Sequence, residues 1–254
     1  MPNWFAPAVG LALAAVVILP GCGRSAAEPT QKPPMPEPAT VDAPATQPAK
    51  AGAATQPGTA AATQPGDAKG GAPTHRTAVF AGGCYWCVEA VFQRIEGVQR
   101  VVSGFAGGRA STAVYSQVVT GRTQHAESVR VTYDPDKVTY GELLQIFFAT
   151  HDPTQLNRQG PDVGTQYRST IFYANPKQKQ IAERYIEKLD ESDIYQQPIV
   201  TTVEALGEFY PAKESHQNYA KQNPDSGYIE TYLPPKLKKL RKLFGDKLKE
   251  SATE

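Results

Sequence analysis

The sequence predicts an α+β fold, helices packed on a sheet, for the part of the chain that follows residue 74. Three observations carry this. Short runs with a period of two alternate with longer runs of period 3.6. They follow one another as strand-helix-strand, strand-helix-strand. Glycine and proline fall at the junctions between them. That order is the split βαβ pattern of a ferredoxin-like, two-layer sandwich.

Each element has its own warrant. Thr77–Ala81 (TAVFA) is a β-prone run broken by Gly82-Gly83. Val88, Val91, Phe92 and Ile95 then fall at i, i+3, i+4 and i+7, one face of a helix, with Gly97 as a C-terminal stop. Val98–Phe105 reads as a strand closed by a turn at Gly107-Gly108. Glu127–Tyr133 alternates, placing Val129, Val131 and Tyr133 on one face. Tyr140–Thr150 is helical, Ser169–Tyr173 a strand, and Pro176–Glu191 a helix opened by its proline. Ile199–Leu206 is the last strand.

What precedes this domain is different in kind. Residues 5–22, FAPAVGLALAAVVILPGC, form an uncharged apolar run rich in small residues, suited to the core of a signal peptide. The run ends at Leu19-Pro20-Gly21-Cys22, which resembles a bacterial lipoprotein lipobox and makes residues 1–22 a signal peptide with Cys22 as the lipidated residue. No Lys or Arg precedes the run, and Pro20 is unusual in such a motif. An ordinary cleaved signal or an uncleaved anchor stays open, and every one of these readings exports the domain to the cell envelope. Residues 23–74 are low in complexity, and Ala-Thr-Gln-Pro recurs at 45–48, 54–57 and 62–65. Such a composition buries too little apolar surface to offset its ordering entropy, so it reads as a disordered tether. Fully extended at ~3.1 Å per residue it spans on the order of 150 Å. The domain proper is expected over residues 75–233. A basic amphipathic tail over 234–254 places Leu237, Leu240, Phe244 and Leu248 on one stripe that docks on the domain or stays partly disordered, with an anionic membrane surface as the alternative.

The formal net charge of +1 over 254 residues gives no bulk field for nucleic acid. Three cysteines, Cys22, Cys84 and Cys87, cannot make a disulfide scaffold. Pair chemistry therefore falls to Cys84 and Cys87, in AGGCYWCVEA. Cys84 sits where a strand ends and a helix begins. Unpaired N–H groups and the helix dipole favour a thiolate there. Cys87, at i+3, lies on the same side of the first turn. A zinc site needs about four ligands. His125, His151 and His216 could complete one, but they show no paired spacing. A thioredoxin-like disulfide exchanger and a pair of inert buried thiols stay open on the residues alone.

The segment AGGCYWCVEAVFQRIEGV (81–98) resembles the active-site stretch of the A-type peptide methionine sulfoxide reductases, whose core is Gly-Cys-Phe-Trp. TGRTQHAESVRVTYDP (120–135), HDPTQLNRQGPDVGTQYRS (151–169) and FYPAKESHQNY (209–219) extend the resemblance over residues 77–232. It implies a two-layer α+β sandwich and thiol-dependent reduction of methionine (S)-sulfoxide, free or in oxidised proteins. It implies no cofactor and no metal. By this resemblance Cys84 is the nucleophile that becomes a sulfenic acid, and Glu127 is the proton donor. Tyr115 and Tyr167 bind the sulfoxide oxygen, and Asp162 is a supporting acid. Tyr85 and Trp86 form the apolar pocket for the S-methyl group, with Tyr85 standing where the family has phenylalanine. Many family members resolve the sulfenic acid with a cysteine near the C-terminus. No cysteine follows Cys87 here, which makes Cys87 the resolver and a thioredoxin or thioredoxin-like dithiol the expected reductant. His216 reads as a capping or core histidine outside the catalytic set.

Overall fold

The computed structural model describes residues 35–36 and 75–252. Its centre is a six-stranded mixed sheet with helices against it, an α+β architecture. The strands are β1 (Arg76–Gly82), β2 (Val98–Ala106), β3 (Ala126–Tyr133), β6 (Ser169–Tyr173), β7 (Thr202–Ala205) and β8 (Tyr210–Pro211). Their order in space is β7-β6-β1-β3-β2-β8. Only the β6–β7 pair is parallel among these neighbours. Strands β4 (Arg158–Gln159) and β5 (Asp162–Val163) form a separate hairpin.

The helices are α1 (Tyr85–Phe92), α2 (Tyr115–Val118), α3 (Tyr140–Thr150), α4 (Pro176–Glu191), α5 (Tyr219–Gln222) and α6 (Gly227–Phe244). Local chemistry fixes the ends of α3 and α4. Thr139 and Glu142 form a reciprocal capping box on α3, with Glu142 N donating to Thr139 Oγ1 at 3.1 Å. Asn175 caps α4 by accepting from Gln178 N, and Pro176 occupies its first turn.

The period-two face of β3 buries Val129, Val131 and Tyr133 in the main core. Phe80 of β1 stacks there on Phe92 of α1 and Phe147 of α3, at ring centroids of 5.3 and 5.1 Å. Deleting a ring of this kind costs ~3–5 kcal/mol. A smaller cluster on Val79, Ala81, Val102 and Phe172 is closed by Phe209. Of the C-terminal stripe, Leu240, Phe244 and Leu248 are buried and Leu237 is half-buried, and Leu248 bridges Ile95.

Three details depart from expectation. Helix α1 ends at Phe92, so Gly97 is not its stop; its φ of +83° instead turns the chain into β2. The strand expected over 199–206 covers only Thr202–Ala205. Met35 and Pro36, inside the stretch expected to be a tether, lie against the domain. The Pro36 carbonyl accepts from Gln145 Nε2 at 3.1 Å and from Tyr185 Oη at 3.2 Å. The signal-like run, Cys22 and the rest of residues 23–74 lie outside the described residues.

Candidate active site

The two glycines ahead of the cysteine pair are there for space and for backbone angle. Gly83 has φ +93°, and a Cβ on it would come within 2.6 Å of Gln159. A Cβ on Gly82 would meet the Phe147 ring at 2.8 Å. They let β1 turn tightly into α1 and leave Cys84 as the residue before the first helical turn. The Cys84 carbonyl accepts from Cys87 N at 3.2 Å, which closes that turn. Both thiols are free and buried.

Glu127 enters from β3, where it lies opposite Phe105 of β2. It is 3 % exposed and accepts a hydrogen bond from Tyr85 N at 3.1 Å. One of the unpaired N–H groups of α1 thus ends on this carboxyl. Burial outweighs that bond and, aided by the charge of Asp162, pushes Glu127 up to about 8. The group is a carboxylic acid at neutral pH.

The thiol of Cys84 corrects the sequence-based expectation. The helix N-terminus was expected to favour the thiolate, and the Trp86 N–H and the Tyr228 hydroxyl do act in that direction. Burial is larger, and the charge of Glu127 adds to it, so the Cys84 thiol is raised well above its usual range. The two shifts are linked. While Glu127 keeps its proton it exerts no charge on Cys84, and that obstacle to the thiolate is gone.

Tyr115, on α2, and Tyr167, at the end of the turn Thr165–Tyr167, both face the pair electrostatically. Burial raises each phenol, and Glu127 and then Cys84 raise it further. Asp162 begins β5 and accepts a hydrogen bond from Tyr228. Burial raises its pKa, against Tyr228 and Lys236. The site residues expected in the domain therefore converge around the first turn of α1.

Four neighbours did not emerge from sequence reasoning. His216 stands inside the site, with Nδ1 2.9 Å from Tyr85 Oη and its ring 4.5 Å from that of Tyr115. Tyr219 stacks on Trp86 at 3.7 Å between centroids and 11° between planes. Tyr228 and Lys236 reach in from α6, beside both thiols. The signal was available in the spacing Tyr228, Tyr232, Lys236, one face of a helix at i, i+4 and i+8. Tyr85 and Trp86 do flank Cys84, but the wall they make is less apolar than expected, since Tyr85 spends its hydroxyl on His216.

The other histidines have structural bonds. His151 Nδ1 lies 2.6 Å from the Phe147 carbonyl and its Nε2 2.8 Å from Ser169 Oγ; burial pushes it down to about 3. His125 Nε2 lies 3.0 Å from the Arg109 carbonyl. No group of three or more His, Cys, Asp or Glu among the described residues could hold a metal.

The family model for peptide methionine sulfoxide reductase matches residues 76–248. The chain belongs to this family. A curated relative from Mesorhizobium japonicum, "Peptide methionine sulfoxide reductase MsrA 2", is 56 % identical over 174 residues, 68 % of this chain and 89 % of that protein. Another, "Peptide methionine sulfoxide reductase MsrA" from Deinococcus radiodurans, is 53 % identical over 172 residues, 68 % of this chain and 84 % of that one. Among solved structures, reduced Mxr1 from Saccharomyces cerevisiae superposes with a TM-score of 0.58 at 32 % identity, over 65 % of this chain and 94 % of its own. Methionine sulfoxide reductase A of Corynebacterium diphtheriae gives 0.54 at 42 % identity, over 61 % and 77 %.

Proposed function

We propose that this chain reduces methionine sulfoxide by the two-thiol chemistry its first helical turn supports. The observation that carries the proposal is the Glu127 carboxyl, buried and bonded by Tyr85 N–H, beside the buried thiol of Cys84. The chain is a thiol-dependent oxidoreductase, a peptide-methionine (S)-S-oxide reductase that repairs oxidised proteins or free methionine sulfoxide. Cys84 attacks the sulfoxide sulfur as a thiolate. The oxygen takes the Glu127 proton, so it does not leave as a bare oxide. Tyr115 and Tyr167 donate hydrogen bonds to that oxygen. Tyr85 and Trp86 hold the methyl group, and Asp162 supports the site through Tyr228. The protonated oxygen passes to the Cys84 sulfur as the bond between the two sulfurs breaks with its electron pair going to methionine, so methionine departs and Cys84 is left as a sulfenic acid. Cys87 attacks its sulfur, the S–S bond forms, and the oxygen leaves as water. A thioredoxin or similar dithiol then reduces the Cys84–Cys87 disulfide.

The thiol–disulfide exchanger is not favoured, because exchange needs neither a buried acid nor two tyrosines around the nucleophile. One comparison of rates tests the reading: reduction of a methionine sulfoxide peptide against reduction of an insulin-type disulfide. Activity on the second without the first would overturn it. We read the sheet as a ferredoxin-like core, supported by the sequential strands β1, β2, β3 and β6 taking the order β6-β1-β3-β2. We also read residues 1–22 as a lipoprotein signal and 23–74 as a tether that holds the reductase domain, which helix α6 carries past residue 233, at a membrane of the cell envelope through Cys22. The support is the LPGC run and the low-complexity composition. Intact mass of the exported protein tests it: a diacylated N-terminal cysteine is expected, and a chain retaining residues 1–21 would overturn it.

A further inference from the structure

Resolution of the sulfenic acid needs a thiolate on Cys87, and the surroundings of Cys87 oppose one. Its sulfur packs with Ala90 of α1 and with Ile229 and Leu233 of α6. Burial, together with the charge of Asp162, pushes the thiol up to about 11. At neutral pH such a thiol is almost wholly protonated, and the protonated form is a poor nucleophile.

One side of the pair is open. A cavity of about 220 Å³ is lined by Cys84, Cys87, Asp162, Tyr228 and Lys236. Lys236 sits two turns after Tyr228 on the same face of α6, and its Nζ donates to the Thr150 carbonyl at 2.8 Å. Thr150 is the last residue of α3, so the ammonium rests at the negative end of that helix. We propose that Lys236 is the positioning residue of the resolving step: its ammonium, fixed on the Thr150 carbonyl and lining the cavity that both thiols line, holds Cys87 as the thiolate that attacks the sulfenic acid of Cys84. This rests on the reading of Cys87 as the resolver.

The charged groups that face Cys87 are few. Lys236 from α6 favours its thiolate, and Asp162 from the hairpin opposes it. Glu127 from β3 acts on Cys84. The coupling is visible from the lysine as well: burial lowers Lys236, while Cys87, Cys84, Asp162 and Asp152 all raise it. The step balances without a further reactant. The Cys87 electron pair makes the S–S bond, the S–O bond breaks, and the departing hydroxide takes up the proton that Cys87 released, leaving as water. The oxidant is the sulfoxide oxygen already transferred to Cys84.

A plainer role exists for the same lysine, as a cap on the orphan carbonyls of α3. A cap would change melting and leave thiol chemistry alone, so thiol chemistry is the readout. In the full chain carrying Cys84→Ser, the alkylation rate of Cys87 by iodoacetamide is measured against pH, with and without Lys236→Met. The neutral side chain should slow alkylation at pH 7 by about tenfold and move the midpoint to higher pH. Lys236→Arg should keep the midpoint near that of the parent. With Cys84 restored, the Lys236→Met enzyme given one equivalent of sulfoxide should carry an extra oxygen, by intact mass, for longer than wild type. Lys236→Gln takes the place of Lys236→Met if the latter does not melt cooperatively. Superimposable alkylation profiles overturn the proposal and leave Lys236 as a cap. The reading beneath it fails separately, if Cys87→Ser cycles with thioredoxin as fast as wild type.

Discussion

Two regions meet at one helical turn. On the β3 side, Cys84 faces an acid that keeps its proton and two tyrosines. On the α6 side, Cys87 lies in an apolar patch of Ile229 and Leu233, with an ammonium at its edge. The thiols are three residues apart and share one hydrogen-bonded turn, yet their surroundings are opposite in chemistry. The difference teaches that spacing alone does not assign roles within a CxxC pair. In the proposed mechanism the side that can give a proton to the sulfoxide oxygen performs the reduction, and the other side resolves it.

The comparison breaks most completely at Cys84. Cys84→Ser should abolish methionine formation even in a single turnover, and product from this variant, by chromatography of the quenched reaction, would remove it as nucleophile. Cys87→Ser should be nearly as severe under thioredoxin-driven cycling but spare the first turnover. Mass spectrometry after one equivalent of substrate should find one added oxygen in the variant, and the loss of two hydrogens in wild type. Glu127→Gln keeps shape and loses the proton, so the first turnover should slow by about 10²-fold. Wild-type single-turnover rates should fall as pH rises through about 8, where Glu127 loses its proton, and that limb should vanish in Glu127→Gln.

The same carboxyl links pH to stability. Native Glu127 holds its proton up to about 8, while the unfolded chain releases it near the usual carboxylate value. The native state therefore binds more protons between those limits, and this group's contribution to stability declines as pH rises through that window. Denaturant midpoints of wild type and Glu127→Gln, measured across it, should converge at the acid end. The smallest effect expected is that of Tyr85→Phe. It removes one hydrogen bond to a half-exposed His216, about 1 kcal/mol, and should change KM more than the single-turnover rate. An unaltered KM would mean that His216 takes no part in the substrate wall.

Much of this was legible in the chain. The bounds of Tyr140–Thr150, Ser169–Tyr173 and Pro176–Glu191 were read as they stand, because capping residues and period mark them sharply. The placement of β8 was not legible. It is two residues long, has no period, and is pinned by Gln217, whose amide accepts from Ser103 N and donates to the Ser103 and Ala212 carbonyls. Contacts so distant in sequence leave no local pattern. For the same reason His216 read as a core residue: its partner Tyr85 lies 131 positions away. The shift on Cys84 was misjudged because a helix N-terminus is visible in sequence and burial is not. Motif resemblance supplied Glu127, Tyr115, Tyr167 and Asp162, which single-residue chemistry would have left as surface groups.

The stacking of Trp86 on Tyr219 has an optical consequence. The sequence holds two tryptophans, and Trp86 is the one in the folded domain, lodged between the two cysteines. Its indole N–H is buried without a partner and its face is covered by Tyr219 and His216. Joining Cys84 to Cys87 must pull on the turn that carries this ring, and so change its overlap with both neighbours. In a chain freed of residues 1–22, and with them Trp4, the emission of the one remaining indole then follows disulfide formation, and the resolving step can be timed by stopped flow with no label attached.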